Sequence, residues 1–345
     1  MHGKWKRAAL FCLVATLGVA GCGDSGPAED SASGVQGVSE TEIVLGTHSD
    51  LSGPTAIWGV GSINGARMRF DEVNEAGGIH GRKIRLIVED TGYQVPRAIQ
   101  AANKLLHKDQ VFALVFALGT QINNTILPNQ MKAGVPNLFP YTGARSMNEP
   151  FRRLQFTQRG VYYDEMRAGM RYSIDKLGKS TPCVVYQDTD YGHENYDAIV
   201  DQAAAMNIDV AATAAHKPTE TEFTATVLRL REANCDVVFM GTVHRDTVLI
   251  LEAARKMGWD TVSFVGNDVT YGDVVADVPS GASEGFMAFG HIAELYRDDD
   301  LSDEVLDWYD RYEERYGEKP AVAAVEGYRG ADVLIQALEK AGPTL

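Results

Sequence analysis

The sequence is short of cysteine, of basic residues and of long apolar runs, and each shortage closes off a class of protein. Four cysteines in 345 residues cannot build the dense framework of a small disulfide-stapled fold, and their spacing carries no zinc signature. Thirty-two Lys and Arg against 47 Asp and Glu leave a formal charge of −15, which argues against nucleic acid or an anionic membrane surface as partner. Beyond residue 20 no stretch is long and apolar enough to span a bilayer. Signatures of catalysis are missing as well. Gly59-Val60-Gly61-Ser62-Ile63-Asn64-Gly65 is glycine-rich, but it lies well past a strand end and has no P-loop lysine. Ser62 directly follows Gly61, so no G-x-S-x-G elbow exists. The pairs His48/Asp50 and His244/Asp246 have no third ligand at metal spacing and read as solvated surface groups. A non-catalytic protein is therefore expected, with no cofactor and no metal.

What is present begins with an address. Lys4, Lys6 and Arg7 precede an apolar run over residues 8–20, which is too short to cross a bilayer comfortably. The run closes on Val19-Ala20-Gly21-Cys22. Small residues leading into a cysteine resemble the lipobox of bacterial lipoproteins, which implies that residues 1–21 are a lipoprotein signal peptide and that Cys22 is the lipidated first residue. Residues 22–40, rich in Gly, Ser, Ala and acids and without periodicity, read as a flexible tether. The expected location is the periplasm or the outer face of the cell membrane, touching the membrane through the lipid anchor only. Without the leader, 29 basic residues face 47 acidic ones, a formal charge of −18. Cys12 leaves with the leader. Cys183 and Cys235 remain, each at the start of a strand-like run. They pair if those strands are neighbours in an oxidising compartment, or they stay as two buried thiols.

About 320 residues then remain, enough for two lobes with separate cores. Residues 51–90 hold the densest pattern. A short apolar run at 43–47 suits a strand buried on both faces of a parallel sheet, and Leu51-Ser52-Gly53-Pro54 breaks it. Ile63, Ala66, Phe70 and Val73 then recur at helical spacing. Gly77-Gly78 stops that helix, and Ile84, Leu86 and Val88 begin a second strand. This is a βαβ unit whose first loop, carrying Trp58, lies at the carboxyl edge where open α/β sheets bind ligands. The alternation continues with strands at 111–116 and 135–139 and helices at 96–107 and 121–132. The chain crosses to a second lobe near 154–157. There, helices at 162–177, 192–206, 222–232 and 245–257 alternate with strands at 183–187, 208–214, 237–240 and 262–265. A strand at 285–289 returns toward the crossing, before helices at 302–316 and 321–340. Sequential βα units imply parallel sheets with right-handed crossovers. The expected fold is α/β, with two Rossmann-like lobes joined by a multi-strand hinge. An N-terminal lobe spans 41–155, a C-terminal lobe 156–288, and a hinge crossing with late helices 289–345. Lobes so joined enclose a cleft for a small ligand and close on it by hinge motion.

A set of short segments at fixed joint spacing carries a family resemblance. They are Leu51-Ser52-Gly53-Pro54, Asn64-Gly65-Ala66, residues 74–83 (NEAGGIHGRK), Val88-Glu89-Asp90 and Tyr191-Gly192, with residues 233–238 (ANCDVV) and 253–258 (AARKMG) beyond. From about residue 43 onward the chain resembles a type I periplasmic binding protein of the leucine/isoleucine/valine-binding family, the solute receptors of one class of ABC importer. Residues 80–90 and 94–104 are also similar to members that bind aromatic carboxylic acids. The resemblance implies a monomer that binds an amino acid or related carboxylate and delivers it to an ABC permease in the cytoplasmic membrane. A component handing ligand to a membrane sensor is the other role open to this fold. Carried over residue by residue, Trp58 packs on the ligand side chain and the Thr120 hydroxyl meets the ligand carboxylate. Thr120 also stands at the start of a helix, whose amides favour an anion. Tyr141, Thr142 and Gly143 match a loop presenting backbone groups to the ligand, although the family often has a hydroxyl residue where Gly143 stands. Tyr191 matches the aromatic that closes from the second lobe. Asp268 matches an acid, usually glutamate, that receives an ammonium group, while Val243 stands where amino-acid binders often have tyrosine. Asp268 thus argues for an amine and Val243 for an apolar acid. Family members usually continue past the last helix with a further hinge segment; a chain stopping at Leu345 is expected to close less firmly.

Overall fold

Two five-stranded parallel sheets organise residues 34–344, the part of the chain that the computed structural model describes. The expected signal peptide and lipidation site, residues 1–21 and Cys22, lie outside the described residues. The first lobe runs β1 (Glu42–Ser49), α1 (Ala56–Glu75), β2 (Lys83–Asp90), α2 (Val95–Asn103), β3 (Ala113–Val115), α3 (Thr120–Lys132), β4 (Asn137–Leu138) and β5 (Gln155–Phe156). The second runs α4 (Tyr162–Asp175), β6 (Pro182–Gln187), α5 (Asp190–Met206), β7 (Ala212–His216), α6 (Thr224–Glu232), β8 (Val237–Gly241), α7 (His244–Lys256), β9 (Ser263–Asn267), α8 (Asp273–Ala276) and β10 (Met287–Phe289). Two further helices, α9 (Asp303–Tyr316) and α10 (Val322–Ala341), return to pack on α1.

Each sheet is covered on both faces, which is why its strands read as continuous apolar runs rather than alternating ones. Ile43 and Leu45 of β1 join the core beneath α1 and α10, with Phe70, Leu334 and Ile335. Val44, facing the other way, joins Leu105, Leu106 and Leu114. In the second lobe Cys183 and Val185 pack with Phe223, Leu230 and Ile250, and Val184 packs with Met166 and Ile199. The α1–α10 contact is backbone on backbone: a Cβ on Gly65 would overlap the Ala324 carbonyl, and one on Gly327 the Ser62 carbonyl.

The two lobes share one strand order. It is β2-β1-β3-β4-β5 in the first and, read from the far edge, β7-β6-β8-β9-β10 in the second. In each the order reverses beside the first strand, so crevices open at the carboxyl ends of β1/β3 and β6/β8, where such sheets bind ligands. Among the described residues the chain passes between lobes twice, after β5 and after β10.

Two features differ from, or decide between, the expectations. The tether read over residues 22–40 ends earlier than 40: Val38 is buried in the first core, Val44 donates to the Gly37 carbonyl, and the Gln36 amide donates to the Val111 carbonyl at 3.0 Å. An apolar side chain that completes the core outweighs the local polar composition. Cys183 and Cys235 are joined, with Cα atoms 5.8 Å apart, because β6 and β8 are hydrogen-bonded neighbours and Cys235 stands just before β8.

Candidate functional site

The loop after β1 is built on Asp50, which is fully buried. Its carboxylate accepts from the backbone of Ser52 and Gly53 at 3.2 and 2.6 Å, and from Thr55 through both N–H and hydroxyl at 2.8 and 2.7 Å. These bonds fold the polar loop back on itself and fix the start of α1. Gly59 then lies against the Asp50 carbonyl, where a Cβ would overlap it. Trp58, one residue earlier, projects into the space between the lobes. Its indole N–H donates to the Val269 carbonyl of the second lobe at 3.2 Å, and its ring lies 6.1 Å from that of Tyr141.

Thr120 opens α3 after Gly119, whose φ of 101° suits glycine. Its hydroxyl is 2.7 Å from that of Thr142, which itself accepts from Ala144 N–H at 3.2 Å. From the second lobe comes Tyr191, in the first turn of α5. Thr189 caps that turn by accepting from Gly192 N–H, so the helix starts two residues before the expected 192. The Tyr191 hydroxyl reaches the Thr242 carbonyl at 3.1 Å and the Asn267 side-chain oxygen at 3.0 Å. Its ring meets Tyr162 edge-on at 5.2 Å, and Val243 packs beside both. Burial holds the Tyr141 and Tyr191 hydroxyls protonated, and both donate within the protein, Tyr141 to Glu326.

Five of the eight expected positions, Trp58, Thr120, Tyr141, Tyr191 and Val243, enclose one cavity. Thr142 stands behind Thr120 as its hydrogen-bond partner. The other two expected positions lie outside the cavity lining. Gly143 does not line the cavity: its carbonyl accepts from Tyr162 N–H at 3.0 Å and its Cα abuts Gly160 of the hinge. Asp268 belongs to the hinge cluster, engaged through Oδ2, while Oδ1 has no hydrogen-bond partner among the described residues. Its carboxylate is 2.5 Å from Arg159 and 3.1 Å from His291, and it lies outside the cavity lining.

Arg159 is the residue that sequence reasoning missed. It sits on the first crossing, fully buried between Asp268 and Glu326, which it meets at 2.5 and 2.8 Å. Its guanidinium lies 4.4 Å from the centre of the Tyr141 ring, within cation–π range, and it lines the cavity with Tyr93 and Tyr162. Burial works against its charge, but Asp268 and Glu326 more than offset this and hold it protonated. His291, on the second crossing, reaches Asp268, Glu165 at 3.5 Å and Glu326 at 2.9 Å. Burial alone would lower its pKa; those three carboxylates raise it to about 11. The cluster thus bolts both hinge strands to α10 of one lobe and to α4 and the end of β9 of the other. Ligand atoms of Glu165, Asp268 and His291 lie within 4.8 Å of one another, but Asp268 is engaged by Arg159.

The lobes lie closed on one another. Besides Trp58 to Val269, Asn124 donates to Asp190 at 2.7 Å and Arg145 N–H to Glu194 at 2.8 Å across the gap. The cavity between them measures about 30 Å³, room for a water or two, so a larger solute fits only when the lobes part. His48, Asp50, His244 and Asp246, read as solvated, are all buried: the first two lie at the end of β1 and in the loop after it, and the other two open α7, where Asp246 accepts from Gln187 and Arg245. The cavity lining offers the Thr55 and Thr120 hydroxyls and several aromatic faces, while its one guanidinium is already shared by two carboxylates.

Residues 42–345 match the family described as periplasmic binding protein, and the chain belongs to that family. Its members are solute-binding proteins rather than enzymes, as the sequence led us to expect. The leucine-specific-binding protein of Salmonella typhimurium is 23% identical over 261 residues, 73% of this chain and 68% of the relative. Among solved structures, a branched-chain amino acid transporter substrate binding protein from Streptococcus pneumoniae in complex with isoleucine superposes with a TM-score of 0.73. It is 21% identical and covers 88% of this chain and 86% of its own. An ABC transporter solute binding protein from R. palustris in complex with benzoate gives a TM-score of 0.76 at 18% identity, covering 88% and 82%. The fold is thus the two-lobed one expected from the sequence.

Proposed function

We propose that this protein is a lipid-anchored receptor of an ABC importer, held through Cys22, that captures a small apolar or aromatic carboxylate between its lobes. Hinge closure then presents the loaded form to a permease in the cytoplasmic membrane. Both an amino acid and a simple acid fit the class, and relatives of this fold include an isoleucine complex and a benzoate complex. One observation favours the acid without an amine: Asp268, the residue suited to an ammonium group, lies outside the cavity lining, where it pairs with Arg159 and His291. An ammonium in the cavity would find no acid in its lining, which is costly in a buried site. A carboxylate would meet the Thr120 hydroxyl and the amides opening α3, with Trp58, Tyr141 and Tyr191 packing on its apolar body.

Thermal-shift screening of the protein against benzoate-like acids, aromatic amino acids and branched-chain amino acids tests this reading. A ligand at a hundred times its Kd should stabilise the fold by about 2.7 kcal/mol. Aromatic acids are expected to give the largest shift, and the absence of a shift across all three groups would sink the proposed ligand class.

A further inference from the structure

A second, larger hollow lies on the far side of Trp58. It holds about 600 Å³ against the 30 Å³ of the closed cleft. Both lobes wall it with apolar side chains, Ile57 and Val322 from the first and Val248, Val274 and Val278 from the second. Glu294, on the segment following the second crossing, lines it too. This glutamate is 4% exposed and its backbone N–H donates to the Tyr271 hydroxyl at 3.0 Å. One carboxylate oxygen, Oε2, is buried and has no hydrogen-bond partner. It lies over Gly272, 3.4 Å from where a side chain would begin.

A buried carboxylate oxygen without a donor is rare and costs free energy. Burial accordingly pushes the Glu294 pKa up to about 7, with the Val322 N–H working against the shift. The other charged residues lining the groove are Glu252, Asp273, Asp277, Glu318 and Lys319, and Lys319 is already paired with Asp273. An organic anion would meet five acids, Glu294 included, and no free cation among the described residues. A neutral apolar molecule would leave Oε2 unsatisfied. An ammonium group supplies the missing donor and the opposite charge, while an apolar body covers the valine walls.

We infer that this groove is a second binding site, distinct from the cleft, for a small organic cation consisting of an apolar or aromatic body that carries an ammonium group donating to Glu294 Oε2. The site shares Trp58 with the cleft, so its occupant touches a residue that also contacts the lobe opposite.

Isothermal titration of the full chain with 2-phenylethylammonium tests the inference, with 3-phenylpropanoate as the anion of matching body. Saturable binding of the ammonium probe is expected, with weak or no heat from the anion at this site. Glu294→Gln keeps the shape and the acceptor for Val322 N–H, and should weaken the probe by about tenfold or more, the usual scale for losing a charged hydrogen bond. Ala321→Trp, which fills the groove from its rim, should do the same. Thr120→Val, in the cleft, should leave probe binding unchanged. The inference is overturned if the probe shows no saturable binding, or if Glu294→Gln binds it as tightly as wild type. It is equally overturned if the loss follows Thr120→Val, since the amine would then occupy the cleft, or if 3-phenylpropanoate displaces the bound cation.

Discussion

Replacing Arg159 by Met is the perturbation with the largest expected consequence at the hinge. The substitution keeps most of the side-chain volume but removes a guanidinium that meets Asp268 at 2.5 Å and Glu326 at 2.8 Å, all three side chains being buried. Breaking a buried ion pair from one side costs about 3–5 kcal/mol, because the partner is left charged in a poor solvent. His291 still faces both carboxylates, so the lower half of that range is expected. A chain of this length has an unfolding entropy of roughly 0.7 kcal/mol/K, so a loss of about 3.5 kcal/mol lowers Tm by about 5 °C. The deficit should also depend on pH. In the wild type Arg159 helps hold the Asp268 carboxyl below its usual value against the effect of burial, so its contribution is present above about pH 4 and is lost as pH falls through the folded value. Without Arg159 burial acts unopposed by the guanidinium, and acidification toward pH 4.5 neutralises the stranded acid and narrows the gap to wild type. Urea denaturation at pH 7 and pH 4.5 reads both effects, with Arg153→Met, an exposed change, expected within about 0.5 kcal/mol of wild type. Equal stability of Arg159→Met and wild type at pH 7, or a deficit that does not shrink on acidification, would refute the reasoning.

Further expectations concern separate parts of the molecule. Cys183→Ser with Cys235→Ser opens a loop of 52 residues and should cost about 4 kcal/mol by chain-entropy arithmetic, read as a lower urea midpoint that reductant no longer changes. Gly327→Val drives a side chain into the Ser62 carbonyl and should part α1 from α10, lowering Tm by several degrees; an unchanged Tm would mean that the helices do not touch there. His291→Gln should show its pH dependence in the opposite sense to Asp268. A folded pKa raised from 6.5 to about 11 gives stability that is complete below pH 6.5 and lost as pH rises toward 11, so the two proteins should converge in alkaline solution.

The fold was legible because its signals are local. Ile63, Ala66, Phe70 and Val73 mark α1 by spacing alone, and the doubly buried strands announce themselves as apolar runs because helices cover both faces. Val38 escaped notice since one apolar residue in a Gly/Ser stretch has no periodicity. The pairing of Cys183 with Cys235 stayed open because strand adjacency is set by topology, not by spacing. At the site, Trp58, Thr120, Tyr141, Tyr191 and Val243 could be placed by resemblance, as each ends a strand or starts a helix at the switch points. Arg159 could not. Its role depends on Asp268 and Glu326, more than a hundred positions away in sequence, and an isolated arginine beside a crossing reads as surface. The same pairing holds Asp268 outside the cavity lining. Gly143 was displaced for a related reason: Gly160 and Tyr162 of the hinge occupy the space beside it.

The central claim is that a carboxylate is held in the interlobe cleft at the start of α3, beside Trp58. Titration of benzoate and of isoleucine into wild type, Thr120→Val and Trp58→Ala tests it most directly. The account predicts one saturable site for the acid, weakened in both variants by about tenfold or more, in line with loss of a charged hydrogen bond or of a buried aromatic contact. It also predicts weaker binding of the amino acid than of the acid. Binding that is indifferent to Thr120 and Trp58, or isoleucine binding more tightly than the simple acid, would contradict it.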